Sequence, residues 1–280
     1  MKTKRPSLVG MTRAGVAAAC IALAAASAFA GGLTDRIAAK YAVKGVDAWY
    51  GGQRTVFDFK GYDAWVVEPP NGVEALPGRP WTWTMQWRTA FVPRTSVPRL
   101  LKAGWCHVSV DIFRHRMDAT GLKVAKEFQD FLVGELGFAP KAMLIGMSWG
   151  GFFSTRYAAN YPGCVAKIYL DAPLLSFSKF GDPSEDRIGP WAARVPAGGN
   201  WDDDPEMPVN MAGRIAAAKI PVLLLYGGKD TVVPPEKNCL VFAPRFKEAG
   251  GDIKIVPRPL YAHHPHGVEE SENTIIDFFN

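Results

Sequence analysis

The residues whose types and spacing most clearly suit chemistry are Gly146-Met147-Ser148-Trp149-Gly150. The apolar run Ala142-Met143-Leu144-Ile145 precedes them, and residues 152–159 follow with helical spacing. Gly-x-Ser-x-Gly between a strand and a helix describes a nucleophile elbow. A strained turn lifts the serine hydroxyl above the sheet edge, and glycines on either side permit close packing of the chain. Ser148 is therefore expected to be a nucleophile. Three fixed positions in five recur by chance, so the weight of the pattern comes from its flanking elements and from partners elsewhere in the chain.

A serine hydroxyl needs a base to take its proton, and the base needs a carboxylate to hold its tautomer. The chain has five histidines. His107 lies in an apparent strand and His115 just after it, whereas His263, His264 and His266 share one loop behind the last strand. On a strand–elbow–helix scaffold the acid and then the histidine follow the serine in chain order, which leaves only the last cluster. His263 is expected to be the base because it comes first, after the small Ala262, where the loop emerges. His264 and His266 are expected to contact substrate or brace the loop. The acid is expected to be Asp230, in the turn Gly227-Gly228-Lys229-Asp230 after an apolar strand. Asp171, at the end of Leu170-Asp171, is its rival and reads as a loop-bracing carboxylate, with Asp111 a structural turn residue. Three neighbouring histidines also suggest zinc, but adjacent side chains on an extended segment face opposite ways. No metal is expected.

These residues need a sheet to carry them. Residues 55–60 and 62–68 read as an antiparallel strand pair, 81–85 as a third strand and 105–112 as a fourth. Helical spacing marks residues 95–103 and 122–136, the latter through Val124, Phe128, Phe131, Leu132 and Leu136. Residues 164–170 and 220–226 are apolar strands of the kind buried on both faces. A strand over 253–256 and a helix over 274–279 close the chain. Strands alternating with helices after an antiparallel start predict an α/β fold, a mostly parallel central sheet with helices on both faces. Residues 176–208, rich in Gly, Pro and Asp with Trp191 and Trp201 as apolar anchors, are too long for a bare connection and are expected to be a short cap over the site.

The beginning of the chain reads as something other than fold. Lys2, Lys4, Arg5 and Arg13 precede a small apolar run that ends at Ala28-Phe29-Ala30, which describes an export signal over residues 1–30 followed by one domain over 31–280. A secreted or periplasmic protein with no membrane anchor after cleavage is expected. The net charge of +5 then loses its meaning, because 32 basic residues less those four leave 28 against 27 acidic. No basic run remains to suggest nucleic acid. Cys106, Cys164 and Cys239 follow the leader without metal-type spacing, so at most one disulfide can form.

The elbow, the turn Gly227-Gly228-Lys229-Asp230-Thr231-Val232-Val233-Pro234 and the loop His263-His264-Pro265-His266-Gly267 resemble the α/β-hydrolase superfamily over nearly the whole mature chain. Pro80-Trp81-Thr82-Trp83, Leu170-Asp171-Ala172-Pro173 and the His-His-Pro-His loop are more narrowly similar to secreted bacterial carbohydrate-esterase-like hydrolases. That resemblance implies a serine esterase with a Ser148–Asp230–His263 triad, no cofactor, and a small-molecule or glycan substrate such as a pectin-type ester. Such relatives carry a glycine before the His pair and an arginine soon after the tryptophan-rich strand, where this chain has Ala262 and Thr84. Arg88 is expected to reach the same space, and Trp83 to stack against a sugar ring. The oxyanion donors are expected to be the backbone N–H of Trp149, directly after the nucleophile, and Gln86 in the loop after the 81–85 strand. A peptidase of the same fold and a catalytically silent binding protein are the competing readings.

Overall fold

The computed structural model describes residues 32–179, 185–194 and 200–280. The expected export signal lies outside the described residues, as do 180–184 and 195–199 of the inserted segment. Among the described residues, nine strands form one sheet in the order β1-β2-β3-β5-β4-β6-β7-β8-β9. They are β1 Val43–Trp49, β2 Gly52–Phe59, β3 Tyr62–Glu68, β4 Trp81–Gln86, β5 Cys106–Val110, β6 Ala142–Met147, β7 Val165–Asp171, β8 Val222–Gly227 and β9 Ile253–Arg258. The strands β1, β2, β3 and β5 pair antiparallel, and every pairing from β5 through β4, β6, β7 and β8 to β9 is parallel.

The interior parallel strands β6, β7 and β8 are largely apolar because both of their faces are covered. Leu144 and Leu224 enter one hydrophobic cluster, and their neighbours Ile145, Leu223 and Leu225 enter the other. The first cluster holds the apolar sides of helices α1 Leu33–Ala38, α3 Ala119–Gly134, α4 Trp149–Asn160, α5 Ala212–Ala217 and α6 Cys239–Glu248. The second holds α2 Val97–Lys102 and α7 Thr274–Phe279. The helix read from Leu122 begins at Ala119, where the Asp118 carboxylate accepts from the Gly121 N–H at 2.8 Å and caps the first turn. None of the described helices is long and apolar enough to cross a membrane.

One expectation meets different surroundings, and one strand was not expected. Trp83 is fully buried, with ring centroids 5.9 Å from Trp81, 5.4 Å from Phe128 and 5.4 Å from Tyr157. A tryptophan on the interior strand β4 fills the core between sheet and helices and has no face to offer a sugar. The first strand, β1, lies at the sheet edge with most of its residues exposed, so its apolar pattern is too thin to announce it.

The described parts of the inserted segment pack onto α4 through aromatic rings. Phe177 stacks on Phe152 at 4.8 Å, Trp191 meets Phe152 edge-on at 5.5 Å, and Trp201 meets Phe177 at 5.2 Å. Arg156, buried in α4, donates to the Met117 carbonyl at 2.9 Å, pairs with Glu206 at 3.0 Å and lies over the Trp191 ring at 4.4 Å. The three described cysteines are free thiols, and burial pushes Cys106 and Cys239 up to about 12.

Emptying the Trp83 site leaves a large cavity, so Trp83→Ala should lose about 3–5 kcal/mol of unfolding free energy in urea titration. Trp83→Phe should remain folded with an unchanged KM for any ester the protein cleaves. A raised KM in that folded variant would return the indole to the substrate site.

Candidate active site

Ser148 sits between the end of β6 and the start of α4 with φ 51° and ψ −118°. That conformation is strained for a residue with a Cβ and persists only when its surroundings enforce it. They do so through backbone contact. A Cβ on Gly150 would lie 2.0 Å from the Gln86 carbonyl oxygen, so only glycine lets the helix start against the end of β4. The Ser148 N–H donates to the Asp171 carbonyl at 3.0 Å, and the Ser148 carbonyl accepts from Gly151 at 2.9 Å and Leu174 at 2.8 Å.

The loop carrying the histidines is drawn in by β8. A Cβ on Gly227 would lie 2.3 Å from the Ala262 carbonyl oxygen, and the Lys229 N–H donates to the Tyr261 carbonyl at 2.9 Å. This places His263 Nδ1 2.7 Å from Asp230 Oδ2 and His263 Nε2 3.1 Å from Ser148 Oγ. All three residues are buried. The other oxygen of Asp230, Oδ1, accepts from the Val232 and Val233 N–H groups at 2.9 and 2.8 Å, which aims Oδ2 at the imidazole. Burial works to raise the Asp230 pKa, but the His263 hydrogen bond, the two backbone donors and the His263 charge outweigh it and hold the carboxyl below its ordinary value.

A second carboxylate organises the same loop. Asp171, fully buried, accepts from the Gly267 N–H and the Tyr169 hydroxyl, each at 2.6 Å. Its Oδ1 faces Arg258 Nη2 at 2.5 Å and His266 Nδ1 at 3.3 Å. Burial disfavours the Asp171 charge, yet the His266 hydrogen bond, Arg258 and the Tyr169 hydroxyl together depress its pKa. Arg258 and this coupling to Gly267 were not visible in sequence, where Asp171 and Gly267 lie almost a hundred positions apart and Arg258 is one of many arginines.

The remaining expected residues divide. Gln86 lies beside Gly146 and Gly150 at the elbow, and its buried Oε1 has no hydrogen-bond partner among the described residues. Trp149 opens α4, its ring edge-on to Phe113 at 5.7 Å and near Phe152 at 5.8 Å. Arg88 does not extend into this site. It donates to the Asp63 carbonyl at 2.9 Å and carboxylate at 3.1 Å, lies 3.7 Å from the Asp111 carboxylate and covers the Trp65 ring at 4.3 Å. Two carboxylates at the ends of β3 and β5 claim the guanidinium before a substrate can.

The His loop also differs from the extended segment expected. It turns back so that the three rings face one another with centroids 4.7–4.9 Å apart. His263 and His266 are buried and His264 is exposed, with its ring stacked on Phe91 at 5.4 Å. An open cavity of about 660 Å³ is lined by Tyr62, Asp63, Asp111, Phe113, Arg114 and Arg116; no triad residue lines it, and the Phe113 ring, edge-on to Trp149 at 5.7 Å, links it to the elbow. Sequence reading passed over its aromatic and arginine walls.

Comparison with known proteins agrees with this architecture. A family model for the alpha/beta hydrolase fold matches residues 114–194, which hold β6, the elbow and α4. The fold is the α/β-hydrolase fold. A Bacteroides ovatus protein assigned as a dipeptidyl aminopeptidase IV superposes on 85% of this chain with a TM-score of 0.62 at 13% identity, and 35% of that protein is covered. An S-formylglutathione hydrolase from Agrobacterium tumefaciens superposes on 80% of this chain with a TM-score of 0.57 at 15% identity, with 92% of it covered. A puromycin-hydrolyzing peptidase from Mycobacterium tuberculosis gives 0.58 at 18% identity over 85% of this chain and 37% of its own. The chain thus spans little more than a third of the length of these two peptidase neighbours. No curated protein matches the sequence.

The Asp171–Arg258 pair is buried, so removing its charge should cost about 3–5 kcal/mol. Because the folded state depresses the Asp171 pKa, the pair stabilises above the ordinary carboxylate value of about 3.9 and its contribution is lost as pH falls through the lower folded value. Thermal unfolding of Asp171→Asn from pH 7 to pH 2 should show a lower plateau and a shallower acid decline than the parent. An unchanged profile would dismiss Asp171 as the anchor of the loop.

Proposed function

We propose that the protein is an exported serine hydrolase that cleaves carboxylic esters through an acyl-enzyme. The observation that carries this is the buried chain from Asp230 Oδ2 through both nitrogens of His263 to Ser148 Oγ, with contacts of 2.7 and 3.1 Å. Asp230 only accepts hydrogen bonds, so it fixes the proton of neutral His263 on Nδ1 and turns the Nε2 lone pair to the serine.

In this reading His263 removes the Ser148 proton as the hydroxyl oxygen attacks the ester carbonyl. The tetrahedral oxyanion takes hydrogen bonds from backbone donors at the start of α4, with Trp149 the first residue there and the chain at Gln86 alongside. The imidazolium then gives its proton to the departing alcohol, leaving Ser148 acylated. Water, deprotonated by the same His263, attacks the acyl group, and breakdown of the second oxyanion releases the acid and restores the hydroxyl. No step calls on a cofactor.

For the substrate we propose a carbohydrate-type ester. The cavity that Phe113 links to Trp149 also carries Arg114, Arg116 and the Arg88-paired carboxylates of Asp63 and Asp111, a mixture suited to a hydroxyl-rich alcohol. His264, exposed beside His263, is a further contact in this reading. The peptidase alternative draws support from several structural neighbours, but each of them extends far beyond the length matched here. The leader-like residues 1–30 support export to the periplasm or beyond.

Ser148→Ala and His263→Ala should each lower kcat for an aryl ester by several orders of magnitude in a folded protein, since the residues act as a unit. Asp230→Asn should follow, because an amide does not balance the imidazolium and favours the wrong tautomer. Turnover near the parent level in folded Ser148→Ala would overturn the serine mechanism. Parallel assays against acetylated and methylated glycans and against peptide amides would decide between ester and peptide cleavage.

A further inference from the structure

The histidine loop holds more than a base. The rings of His263, His264 and His266 form a nearly equilateral triangle with centroid separations of 4.7, 4.8 and 4.9 Å and interplanar angles of 63°, 82° and 90°. Zn–N bonds of about 2.0–2.1 Å at tetrahedral angles place three imidazole centroids roughly 5 Å apart. One ring nitrogen from each residue lies within 4.8 Å of the others. These need to close to roughly 3.4 Å to share a tetrahedral cation, which requires exposed His264 to leave its stacking on Phe91 and the buried pair to draw together.

The carboxylates around the triangle set its chemistry. Asp230 faces Nδ1 of His263 and Asp171 faces Nδ1 of His266, and each can only accept. In the neutral rings both Nδ1 atoms therefore carry the proton and both Nε2 atoms carry the lone pair. A carboxylate behind a histidine whose other nitrogen is left basic is the arrangement that orients imidazoles toward zinc. His266 Nε2 supplies an independent sign of a missing partner: it is buried and has no hydrogen-bond partner among the described residues. His264 opens the triangle to solvent and gives a cation its entry path.

We propose that His263, His264 and His266 form a three-nitrogen site for a borderline-soft divalent cation of the zinc class, and that its occupation silences the hydrolase centre. The inhibitory consequence rests on His263 being the base; cation binding does not. A cation on His263 Nε2 takes the lone pair that would receive the Ser148 proton and lies across the 3.1 Å contact to Ser148 Oγ. Neutral imidazoles are the ligands, so binding weakens in acid as the rings protonate. Magnesium, which prefers oxygen ligands, has no comparable set here.

The test titrates the full chain with zinc chloride in a calorimeter and with cobalt chloride in a visible spectrometer, alongside aryl-ester assays. The expected result is one zinc per chain, an intense visible spectrum of four-coordinate cobalt, and loss of at least about 90% of turnover at saturating zinc, restored by EDTA and not produced by magnesium. His264→Ala should weaken zinc binding and zinc inhibition together by about tenfold or more, each measured against that variant's own activity without zinc. Absence of zinc binding by the parent, binding that His264→Ala leaves unchanged, or saturation with undiminished turnover would each overturn the proposal. If the protein cleaves no ester, the calorimetric and cobalt arms still decide the site, and only the hydrolase reading fails. Ser148-dependent turnover that zinc leaves untouched has the opposite meaning.

Discussion

The structure depends on the buried carboxylate of Asp171. Its backbone carbonyl receives the Ser148 N–H, its side chain receives the Gly267 N–H, and Arg258 at the end of β9 closes on it. One residue therefore ties the Ser148 turn, the last parallel strand and the histidine loop to the end of β7. A charge with no exposure is costly unless every lone pair is used. Tyr169, Gly267, Arg258 and His266 together meet that demand, and the strand ends cannot drift apart without exposing it.

The same accounting explains why two carboxylates near one histidine loop take different parts. Asp171 spends both oxygens on four donors and has none left for His263. Asp230 satisfies Oδ1 with the Val232 and Val233 amides, which leaves Oδ2 for the His263 ring. Position after a strand does not distinguish them, since both follow apolar runs. What distinguishes them is the turn after each: the Gly227-Gly228 turn lets the histidine loop approach β8, and Thr231-Val232-Val233 folds its amides back onto Asp230.

Much of this was legible in the sequence because the relevant signals are local. The apolar runs of β6, β7 and β8, the helical spacing of α3 and the glycines of the elbow each report their own backbone. The elbow motif marked Ser148, chain order left the 263–266 cluster, and the local context of each favoured Asp230 and His263, which the structure brings within hydrogen-bond distance of one another and of Ser148. What escaped was set by tertiary neighbours. Trp83 has the residue type of a sugar platform, and only the rings of Phe128 and Tyr157 show it to be core. Arg88 has the charge of a substrate anchor, and only Asp63 and Asp111 show it to be occupied. The edge strand β1 carries too little buried surface to pattern its residues, and α6 hides behind Pro244 within its own span. The histidine triangle needed a loop that turns back, where alternation assumes an extended one.

Strain and burial at the elbow act together. Ser148 holds a conformation that a free chain would abandon, and the contact of Gly150 with Gln86 leaves the helix start no room to relax. Because that rigidity comes from backbone packing, it is independent of the side chains that face a substrate. The walls beyond Trp149, from Phe113 to Arg116, lie on connections after β5 and can vary without disturbing the turn. The described residues of the inserted segment follow the same logic, since Phe177 and Trp191 are fixed to α4 by their rings, Trp201 packs on Phe177, and the serine turn is left to the sheet. The position of the hydroxyl is thus set by backbone contacts at the ends of the sheet strands, and the surrounding loops contribute side chains rather than support for the turn.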